Sequence, residues 1–468
     1  MENLVFVIIF IVSFMAICLM FFYMKKLQKL FFARLITKRL ANGYICNSLV
    51  VEDVCKYIMS CKKNKRNKIL KALSEGNLNL FYRQIDNRSI NSKINLCAKK
   101  STYPEKTKDT VYLLTLAKRY IKENAQNKAL EILQKLKVKK TSQKQQAYYR
   151  YLMAQISLFE GDLLLASEDL NIVLKVFKRK KMFLEEAEAY FILGTIYRIS
   201  GVYDTADFML RASQEIYAYI GSQKGEAEAF GTLGLLMSAQ ERFDEAQDYF
   251  QKALDKSSND KTLNGFISSQ QAMLELVKGD IKKAQKIANN ILKSAKNDCV
   301  KATVWDILSR IKLNEKKYNS AVKYAQAADE IFSKHKNYPA SFESMYIKAS
   351  ALAYTGKLDE GEKVLRDLIE KEKTHKSCFH IAGAYTLLGL VLLKKNEPER
   401  AKAIFNQALS KELCNNRKTG VAIDYANLAI VEKMQGNNEL AYENLQKALT
   451  QIKDIDEHLT KKIKDILD

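Results

Sequence analysis

A small residue recurs at a nearly constant step of about 40 residues along most of this 468-residue chain. The successive separations between these residues are 37, 40, 40, 38, 37, 40, 40 and 40. A unit of that length holds one helical hairpin, which cannot bury its own apolar face and must stack on its neighbours. The recurrence therefore predicts a long stack of paired helices. The nine small residues are Ala129, Ala166, Ala206, Ala246, Ala284, Ala321, Gly361, Ala401 and Ala441.

Other positions of the unit keep the same phase. If Ala227 is counted as position one, small residues fall at positions eight, twenty and twenty-seven, and bulky residues fall at positions four, seven and twenty-four. Small residues let two antiparallel helices approach closely, while the bulky ones fill the gaps between them. Position fifteen, where the first helix must end, favours Gly or Asn because these residues adopt a left-handed conformation at low cost. Seven of the nine units have one there, namely Asn124, Gly161, Gly201, Gly279, Gly356, Asn396 and Gly436, and the exceptions are Glu241 and Lys316.

This pattern resembles the tetratricopeptide repeat (TPR), and the resemblance covers roughly residues 110 to 455. It implies an all-α fold, a right-handed superhelical solenoid of about nine TPR-like helical hairpins. We expect the solenoid to be preceded by a single transmembrane helix, for the reasons that follow.

The first 24 residues contain a long apolar run. Leu4–Tyr23 is twenty residues long and carries no charge, a length that spans a bilayer as a helix. No basic residue precedes the run, and no small-residue cleavage site follows it, so the pattern does not indicate a cleaved signal peptide. We therefore predict a retained transmembrane anchor at residues 4–24.

Basic residues follow the apolar run, whereas none precedes it. An excess of Lys and Arg marks the cytoplasmic side of a membrane segment. The sequence thus predicts a single-pass membrane protein with its N-terminus outside and its TPR array in the cytoplasm, and a bacterial inner membrane is favoured over an organelle membrane. The same cations, interleaved with Leu and Phe, predict contact with the lipid bilayer surface. They are Lys25, Lys26, Lys29, Arg34, Lys38 and Arg39.

The net charge of +23 is unevenly distributed along the chain. Residues 25–108 hold 20 Lys and Arg against 5 Asp and Glu, so we predict a basic helical juxtamembrane region and linker there. Its runs of cations are short and lack stacking aromatics, so nucleic acid is not an expected partner. A TPR array at 109–451 and a C-terminal capping helix at 452–468 complete the predicted domains. Whether residues 43–100 form a capping repeat is left open by the sequence.

In the TPR family, positions two, five, nine and twelve of each first helix line the inner, concave face. Carried onto this sequence, that register gives a groove of aromatic, aliphatic and isolated charged side chains, which suits an extended or helical peptide. We therefore expect protein or peptide partners and no small-molecule substrate. The alternative is that about half of these side chains only pack between adjacent first helices. The predicted partner-binding residues are Lys118, Tyr151, Gln155, Phe191, Thr195, Arg198, Asp306, Arg310, Tyr346 and Lys433.

No sequence motif indicates catalysis. The chain lacks a phosphate-binding Gly-rich loop and a nucleophile elbow, and its potential metal ligands cluster at His375, Cys378 and His380. Three ligands without a fourth make a poor structural zinc site. The sequence therefore predicts no enzyme activity, no cofactor and no metal site.

An anchor followed by a TPR array is similar to the bacterial membrane-anchored TPR adaptors, although the CxxC metal module that ends one of them is absent here. From this combination we predict a membrane-anchored protein–protein interaction scaffold that binds partner polypeptides in its concave groove. Two alternatives stay open. One is a receptor that captures client polypeptides for membrane insertion or secretion, and the other is a nucleic-acid-linked regulator that uses the basic juxtamembrane region.

Overall fold

The protein is described by a computed structural model, which covers 47–74, 84–85, 87, 89–90, 92–93, 109–123, 125–136, 141–160, 162–374, 381–414, 417–452 and 457–464. These ranges contain 21 α-helices and no strand. The helices are α1 Ser48–Ser60, α2 Lys63–Ser74, α3 Thr110–Lys122, α4 Gln126–Lys135, α5 Gln143–Phe159, α6 Leu163–Lys180, α7 Phe183–Ile199, α8 Tyr203–Ile220, α9 Gln223–Ala239, α10 Phe243–Ser257, α11 Lys261–Val277, α12 Ile281–Ser294, α13 Asp298–Asn314, α14 Tyr318–Lys334, α15 Tyr338–Tyr354, α16 Leu358–Thr374, α17 Ile381–Lys394, α18 Pro398–Cys414, α19 Lys418–Met434, α20 Asn438–Ile452 and α21 Glu457–Lys464.

The phased helices pair as the sequence predicts, from α3 with α4 to α19 with α20. The described helices outnumber those of nine hairpins, because α1, α2 and α21 lie outside the phased pairs. The chain divides into two compact units. Unit 1 comprises residues 1–152, 170–190 and 212–226, and unit 2 comprises residues 153–169, 191–211 and 227–468.

The close approach of paired helices depends on the small residue at position eight. A Cβ atom added to Gly194 would lie 2.6 Å from Cγ of Leu210, and one added to Gly234 would lie 2.7 Å from Cε1 of Phe250. Both distances are below van der Waals contact, so each bulky side chain at position twenty-four occupies the room that a side chain at position eight would need. The packing that the repeat pattern predicted is confirmed at these positions.

The turns between paired helices are left-handed at the predicted position. Gly201, Gly279, Gly356 and Gly436 have φ angles of 76°, 85°, 77° and 81°, and Asn396 has a φ of 61°. The two exceptions to the residue pattern, Glu241 and Lys316, both have φ angles of 59° and so adopt the same conformation at a higher energetic cost. Position fifteen therefore has one backbone geometry in seven described turns. Asn124 and Gly161 lie outside the described residues.

Helix α1 belongs to unit 1 and begins one residue earlier than a Ser48 cap would place it. Its N-cap is Asn47, whose Oδ1 accepts a hydrogen bond from the backbone N–H of Val50 at 2.9 Å. The Ser48 hydroxyl is not the cap because it donates to the Glu185 carboxylate, and the Ser48 backbone N–H donates to the same carboxylate at 2.7 Å. Asn47 Nδ2 also donates to Thr115 Oγ1 at 2.8 Å. These contacts fix α1 against α3 and α7.

Two glycines near the starts of first helices make room for a large buried group at the end of the preceding second helix. In unit 1, a Cβ atom added to Gly225 would overlap the ring of Tyr217. In unit 2, a Cβ atom added to Gly420 would overlap the Glu412 carboxyl group. Glu412 is only 3% exposed, so a carboxyl group lies where the equivalent position of unit 1 has a phenol ring.

The predicted single-pass membrane localisation is corrected by the structure. No helix in the described part of the chain is both long enough and apolar enough to cross a membrane. The predicted anchor at 4–24 and the basic residues Lys25, Lys26, Lys29, Arg34, Lys38 and Arg39 lie outside the described residues.

Candidate functional site

The first helices of the repeats stack on one another in unit 2. Helix α11 contacts α13, α13 contacts α15, α15 contacts α17 and α17 contacts α19. We call the first-helix face the surface formed by positions two, five, nine and twelve of these first helices and of α7 and α9. Several side chains of this face, including Phe191, Leu235 and Tyr346, pack partly against the hairpin cores, and the others are the ones available to form a site within unit 2.

Three of the predicted binding residues come together on α13 and α15. Arg310 Nε donates to Asp306 Oδ2 at 3.0 Å, and its NH2 group donates to the Glu343 carboxylate. Ser344 Oγ donates to Asp306 Oδ1 at 2.9 Å. Burial raises the pKa of Asp306 in spite of Arg310, while the two carboxylates raise the pKa of Arg310 in spite of its burial. Tyr346 lies half-buried beside this cluster, and burial followed by the Glu343 charge raises its pKa.

Sequence reasoning missed Glu343 and Ser344, although a signal for Glu343 existed. It stands at position two of its repeat and lies 33 residues after Arg310, which stands at position nine of the preceding repeat. Opposite charges at those two phases indicate an ion pair between adjacent first helices. These side chains of the first-helix face therefore contact one another.

A second polar group lies further along the face, on α17 and α19. The hydroxyl of Thr386 is 2.8 Å from Asp424 Oδ1 and 3.1 Å from the backbone carbonyl oxygen of Ala382. A hydroxyl has one proton and cannot donate to both oxygens, so a protonated Asp424 that donates to Thr386 satisfies the arrangement. Burial, with a further contribution from the Glu412 charge, raises the pKa of Asp424 to about 7.

Apolar side chains remain accessible on the same part of the face. Leu390 is 37% exposed and Ile423 is 36% exposed, while Ile430 and Tyr346 are half-buried. They lie on α15, α17 and α19, which are the first helices of three consecutive repeats. Small or buried residues, including Gly383, lie between them. We call Tyr346, Leu390, Ile423 and Ile430 the apolar strip.

In unit 1 the predicted residues are engaged in an internal network. Lys118 is 1% exposed, and its ammonium group donates to Glu188 Oε1 and Oε2 at 2.9 and 2.7 Å. The hydroxyl of Tyr151 donates to Glu188 Oε2 at 2.7 Å. Burial alone would raise the pKa of Glu188, but Lys118, Lys122 and these hydrogen bonds lower it below its ordinary value. The structure therefore assigns Lys118 and Tyr151 contacts that hold three first helices together.

The remaining predicted residues lie apart from both groups. Gln155, Phe191, Thr195 and Arg198 are half-buried residues of unit 2 on α5 and α7, and Lys433 is exposed at the end of α19. A role in partner binding stays a prediction for all ten residues.

Metal binding has no support in the described residues, which contain no group of three or more His, Cys, Asp or Glu side chains that could hold an ion. His375, Cys378 and His380 lie outside the part of the chain that the structure describes.

The fold defines an all-α, TPR-like solenoid with an accessible face formed by its first helices. Residues 185–257 match one tetratricopeptide-repeat family model and residues 382–410 match a second, so the chain contains tetratricopeptide repeats in these two segments. No curated protein matches the sequence.

The solved structures to which the chain is similar include the following three. The apo form of the quorum sensor NprR from B. thuringiensis is 18% identical, with 73% of this chain and 97% of that chain covered and a TM-score of 0.47. NprR in complex with its cognate peptide NprX is 16% identical, covering 74% of this chain and 100% of that chain, with a TM-score of 0.45. A Rap protein complexed with competence and sporulation factor is 12% identical, covering 82% and 99%, with a TM-score of 0.43. Structural similarity at this level does not identify any residue of the candidate site.

Proposed function

We propose that this protein is an interaction scaffold that binds a segment of a partner polypeptide on the first-helix face of unit 2. The observation that carries the proposal is the apolar strip, which runs across three consecutive first helices. Tyr346 packs partly against the hairpin core, whereas Leu390, Ile423 and Ile430 are not among the described residues of that core cluster. Burial of apolar surface supplies most of the energy of peptide docking, while flanking polar groups set its orientation. Asp306, Arg310 and Glu343 form an ion-paired cluster at the α13 end of the strip, and the polar atoms that they share with one another are not available to a partner.

The proposed occupant is a segment of a different protein that carries apolar side chains. Two copies of this chain, each with a net charge of +23, repel one another, which favours a different protein, although most of that charge lies in residues 25–108 and not on the face itself. An extended or helical segment can place alternate or phased apolar side chains on Tyr346, Leu390 and Ile423. The scaffold then acts by holding that segment, without any chemical step.

The test compares partner capture by the full-length chain with capture by Leu390→Ser and Ile423→Ser. Both side chains are partly exposed, so their loss should leave the fold intact while it removes apolar contact area. The matched controls are Leu164→Ser and Tyr442→Ser, because these residues are 71% and 58% exposed on the second helices α6 and α20 of unit 2. We expect the face variants to lose the partner that the wild type and the controls retain.

A photo-crosslinking residue placed at position 390 should join covalently to the same partner, whereas one placed at position 442 should not. Equal capture by all four variants, each checked for native circular dichroism, would contradict binding at the first-helix face.

A further inference from the structure

Asp424 places an ionisable group at a core position of unit 2. It stands at position three of its repeat, and its side chain is fully buried. A buried ionic group costs stability unless a counter-charge and hydrogen bonds compensate for the lost water. The other position-three residues of unit 2 are also buried, but none of them can carry a charge. These residues are Ala229, Ile267, Val304, Ser344 and Ala384. An acid at this position is therefore peculiar to the repeat formed by α19 and α20.

The contacts of Asp424 fit the neutral form of its carboxyl group. Thr386 Oγ1 lies within hydrogen-bonding distance of Asp424 Oδ1 and of the backbone oxygen of Ala382, and its single proton can satisfy only one of them. Asp424 Oδ2 is shielded from solvent and has no hydrogen-bond partner among the described residues. Ionisation would leave this oxygen charged and without a donor, whereas a protonated group donates to Thr386 and needs no counter-charge. The geometry itself therefore favours a proton on Asp424 while the helices are packed in this way.

The charged groups nearest to Asp424 do not compensate for an ionised carboxylate. Burial is the main effect that disfavours ionisation, and the negative charge of Glu412 at the end of α18 adds to it. Arg417, at the N-cap of α19, opposes both only in part because it is paired with Glu412, with 3.1 Å between its Nε atom and Glu412 Oε2. The pKa of Asp424 is raised to about 7 as a result, although the hydrogen bond with Thr386 lowers it. The neutral and the ionised forms therefore coexist near neutral pH.

The other charged residues of the helices packed against α19 lie away from Asp424. The one charged residue of α17 is Lys394, which is exposed at the end of that helix. On α18, Lys402 pairs with Glu432, which lies two turns beyond Asp424, and Lys411 is exposed. Helix α20 meets α19 through an apolar cluster, and its charged residues are exposed. These residues of α20 are Glu439, Glu443 and Lys447.

The contact between Thr386 and Asp424 lies beside two residues of the apolar strip. Leu390 follows Thr386 by one turn on the same side of α17, and Ile423 directly precedes Asp424 on α19. Ionisation of Asp424 puts a buried negative charge between the two helices. That cost is relieved when α19 moves away from α17 so that water reaches the carboxylate. The same movement separates Leu390 from Ile423.

We propose that Asp424 is a proton switch that controls the continuity of the apolar strip. This inference rests on the proposed function, because it takes the strip as the partner-binding surface. While Asp424 is neutral, α17 and α19 stay packed and the strip is continuous. When Asp424 ionises, the two helices separate, and a partner segment that spans Leu390 and Ile423 loses part of its contacts. By linkage, a bound partner segment holds the proton on Asp424.

The test measures amide hydrogen exchange of the full-length chain as a function of pH, with rates corrected for the intrinsic effect of pH on exchange. In the wild type we expect protection in α17 and α19 to fall about tenfold between about pH 6 and about pH 8, because the open form binds a proton less tightly than the packed form. Asp424→Asn should keep the same protection at both pH values. Asp248→Asn, on the exposed side of α10, should behave as the wild type does.

A second measurement identifies the titrating group. The isotope-labelled carboxyl carbon of Asp424, assigned by the loss of its signal in Asp424→Asn, should titrate by nuclear magnetic resonance with the same midpoint as the protection of α17 and α19. Glu412→Gln should move both midpoints to lower pH, because it removes the negative charge that opposes ionisation of Asp424. This variant keeps Asp424, so it tests the switch independently of how well Asp424→Asn folds.

Three results would overturn the proposal. They are protection of α17 and α19 that does not depend on pH in the wild type, pH dependence that persists in Asp424→Asn, and a carboxyl midpoint that does not coincide with the change in protection. None of these measurements needs a partner, so their failure rejects the switch alone. A partner that is retained by Leu390→Ser and Ile423→Ser would instead reject the proposed function, and the exchange result would stand.

Discussion

Asp424 is a buried acid whose only described hydrogen-bond partner is the hydroxyl of Thr386. Its pKa is raised to about 7 from an ordinary value of 3.8, chiefly by burial. The folded chain therefore keeps this proton to a higher pH than the unfolded chain does. Between these two values the unfolded state binds fewer protons, so the contribution of Asp424 to the free energy of unfolding falls as the pH rises.

We predict that Asp424→Asn removes this pH dependence. The asparagine amide keeps a donor for Thr386 and cannot ionise. The free energy of unfolding of the variant should therefore rise relative to that of the wild type between about pH 4 and pH 7, by up to ~1.4 kcal/mol per pH unit. Urea denaturation at a series of pH values measures the difference. The control is Asp248→Asn on the exposed side of α10. Plots of unfolding free energy against pH that stay parallel for Asp424→Asn and wild type would contradict the raised pKa of Asp424.

Two glycines of α17 make a matched pair for testing the helix packing. A Cβ atom added to Gly389 would overlap the ring of Phe405, whereas one added to Gly383 would lie 3.9 Å from Cε2 of Tyr346. Both changes to alanine gain helix propensity, about 1 kcal/mol each. We predict that Gly383→Ala is neutral or stabilising, and that Gly389→Ala is destabilising by about 1–2 kcal/mol because overpacking exceeds that gain. Thermal unfolding distinguishes the two, and equal shifts in midpoint would reject the packing role of position eight.

Charge reversal at Arg310 is a poor test of partner binding. It would bring a third carboxylate to Asp306 and Glu343, so any loss of binding would follow from local unfolding. The equivalent change at Arg198 has no such consequence, because no described carboxylate pairs with that residue. The two arginines looked alike in the sequence and differ only in what the next repeat places opposite them.

At the scale of single elements, α1 is held by side chains that are distant in sequence. Asn47 caps the helix and also bonds to Thr115, while Ser48 bonds to Glu185 across 137 residues. We predict that Asn47→Ala lowers the stability of α1 docking by about 1–3 kcal/mol, because a cap and a buried hydrogen bond are lost together.

Amide hydrogen exchange should show this loss as faster exchange in α1 with unchanged exchange in α19 and α20. Ser60→Ala is the control, since its hydroxyl bonds only within its own exposed turn, to the backbone oxygen of Tyr57 at 2.7 Å. Protection of α1 that is identical in Asn47→Ala and Ser60→Ala would show that these contacts do not hold the helix.

The helices and turns of this chain could be predicted because they depend on residues close in sequence. The left-handed residue at position fifteen and the small residue at position eight each act within one hairpin, so periodicity was sufficient to place them. The start of α1 is different, because Asn47 and Ser48 are adjacent residues that could both cap a helix, and what decides between them is that Ser48 bonds to Glu185 in another repeat. For the same reason the sequence placed Asp306 and Arg310 on one face, but their contacts with Ser344 and Glu343 depend on how the next repeat packs against them.

At the scale of the whole molecule, the described helix contacts of unit 2 join helices that are neighbours in the chain or next but one, whereas in unit 1 α1 and α3 also contact α7. Stability in such a repeat protein is a sum of local terms, so damage should stay local. Phe405 and Phe177 are both fully buried, and we predict that changing either to alanine costs about 3–5 kcal/mol. Phe405→Ala should speed amide exchange in α15 to α20 and leave exchange in α3 unchanged. Phe177→Ala should speed exchange in α3 and leave exchange in α15 to α20 unchanged. Uniform loss of protection throughout the chain in both variants would show a single cooperative unit instead.

The buried Glu412 beside Gly420 also restricts how this sequence can change over generations. A side chain at 420 would collide with the carboxyl group at 412, so a replacement there requires Glu412 to turn away from its buried position or to become smaller. A larger group at 412, such as the phenol that stands at the equivalent Tyr217, likewise requires the glycine to be present first. Substitutions at the two sites are therefore coupled, and related chains that carry a side chain at 420 should have a small residue at 412 more often than chains that keep the glycine.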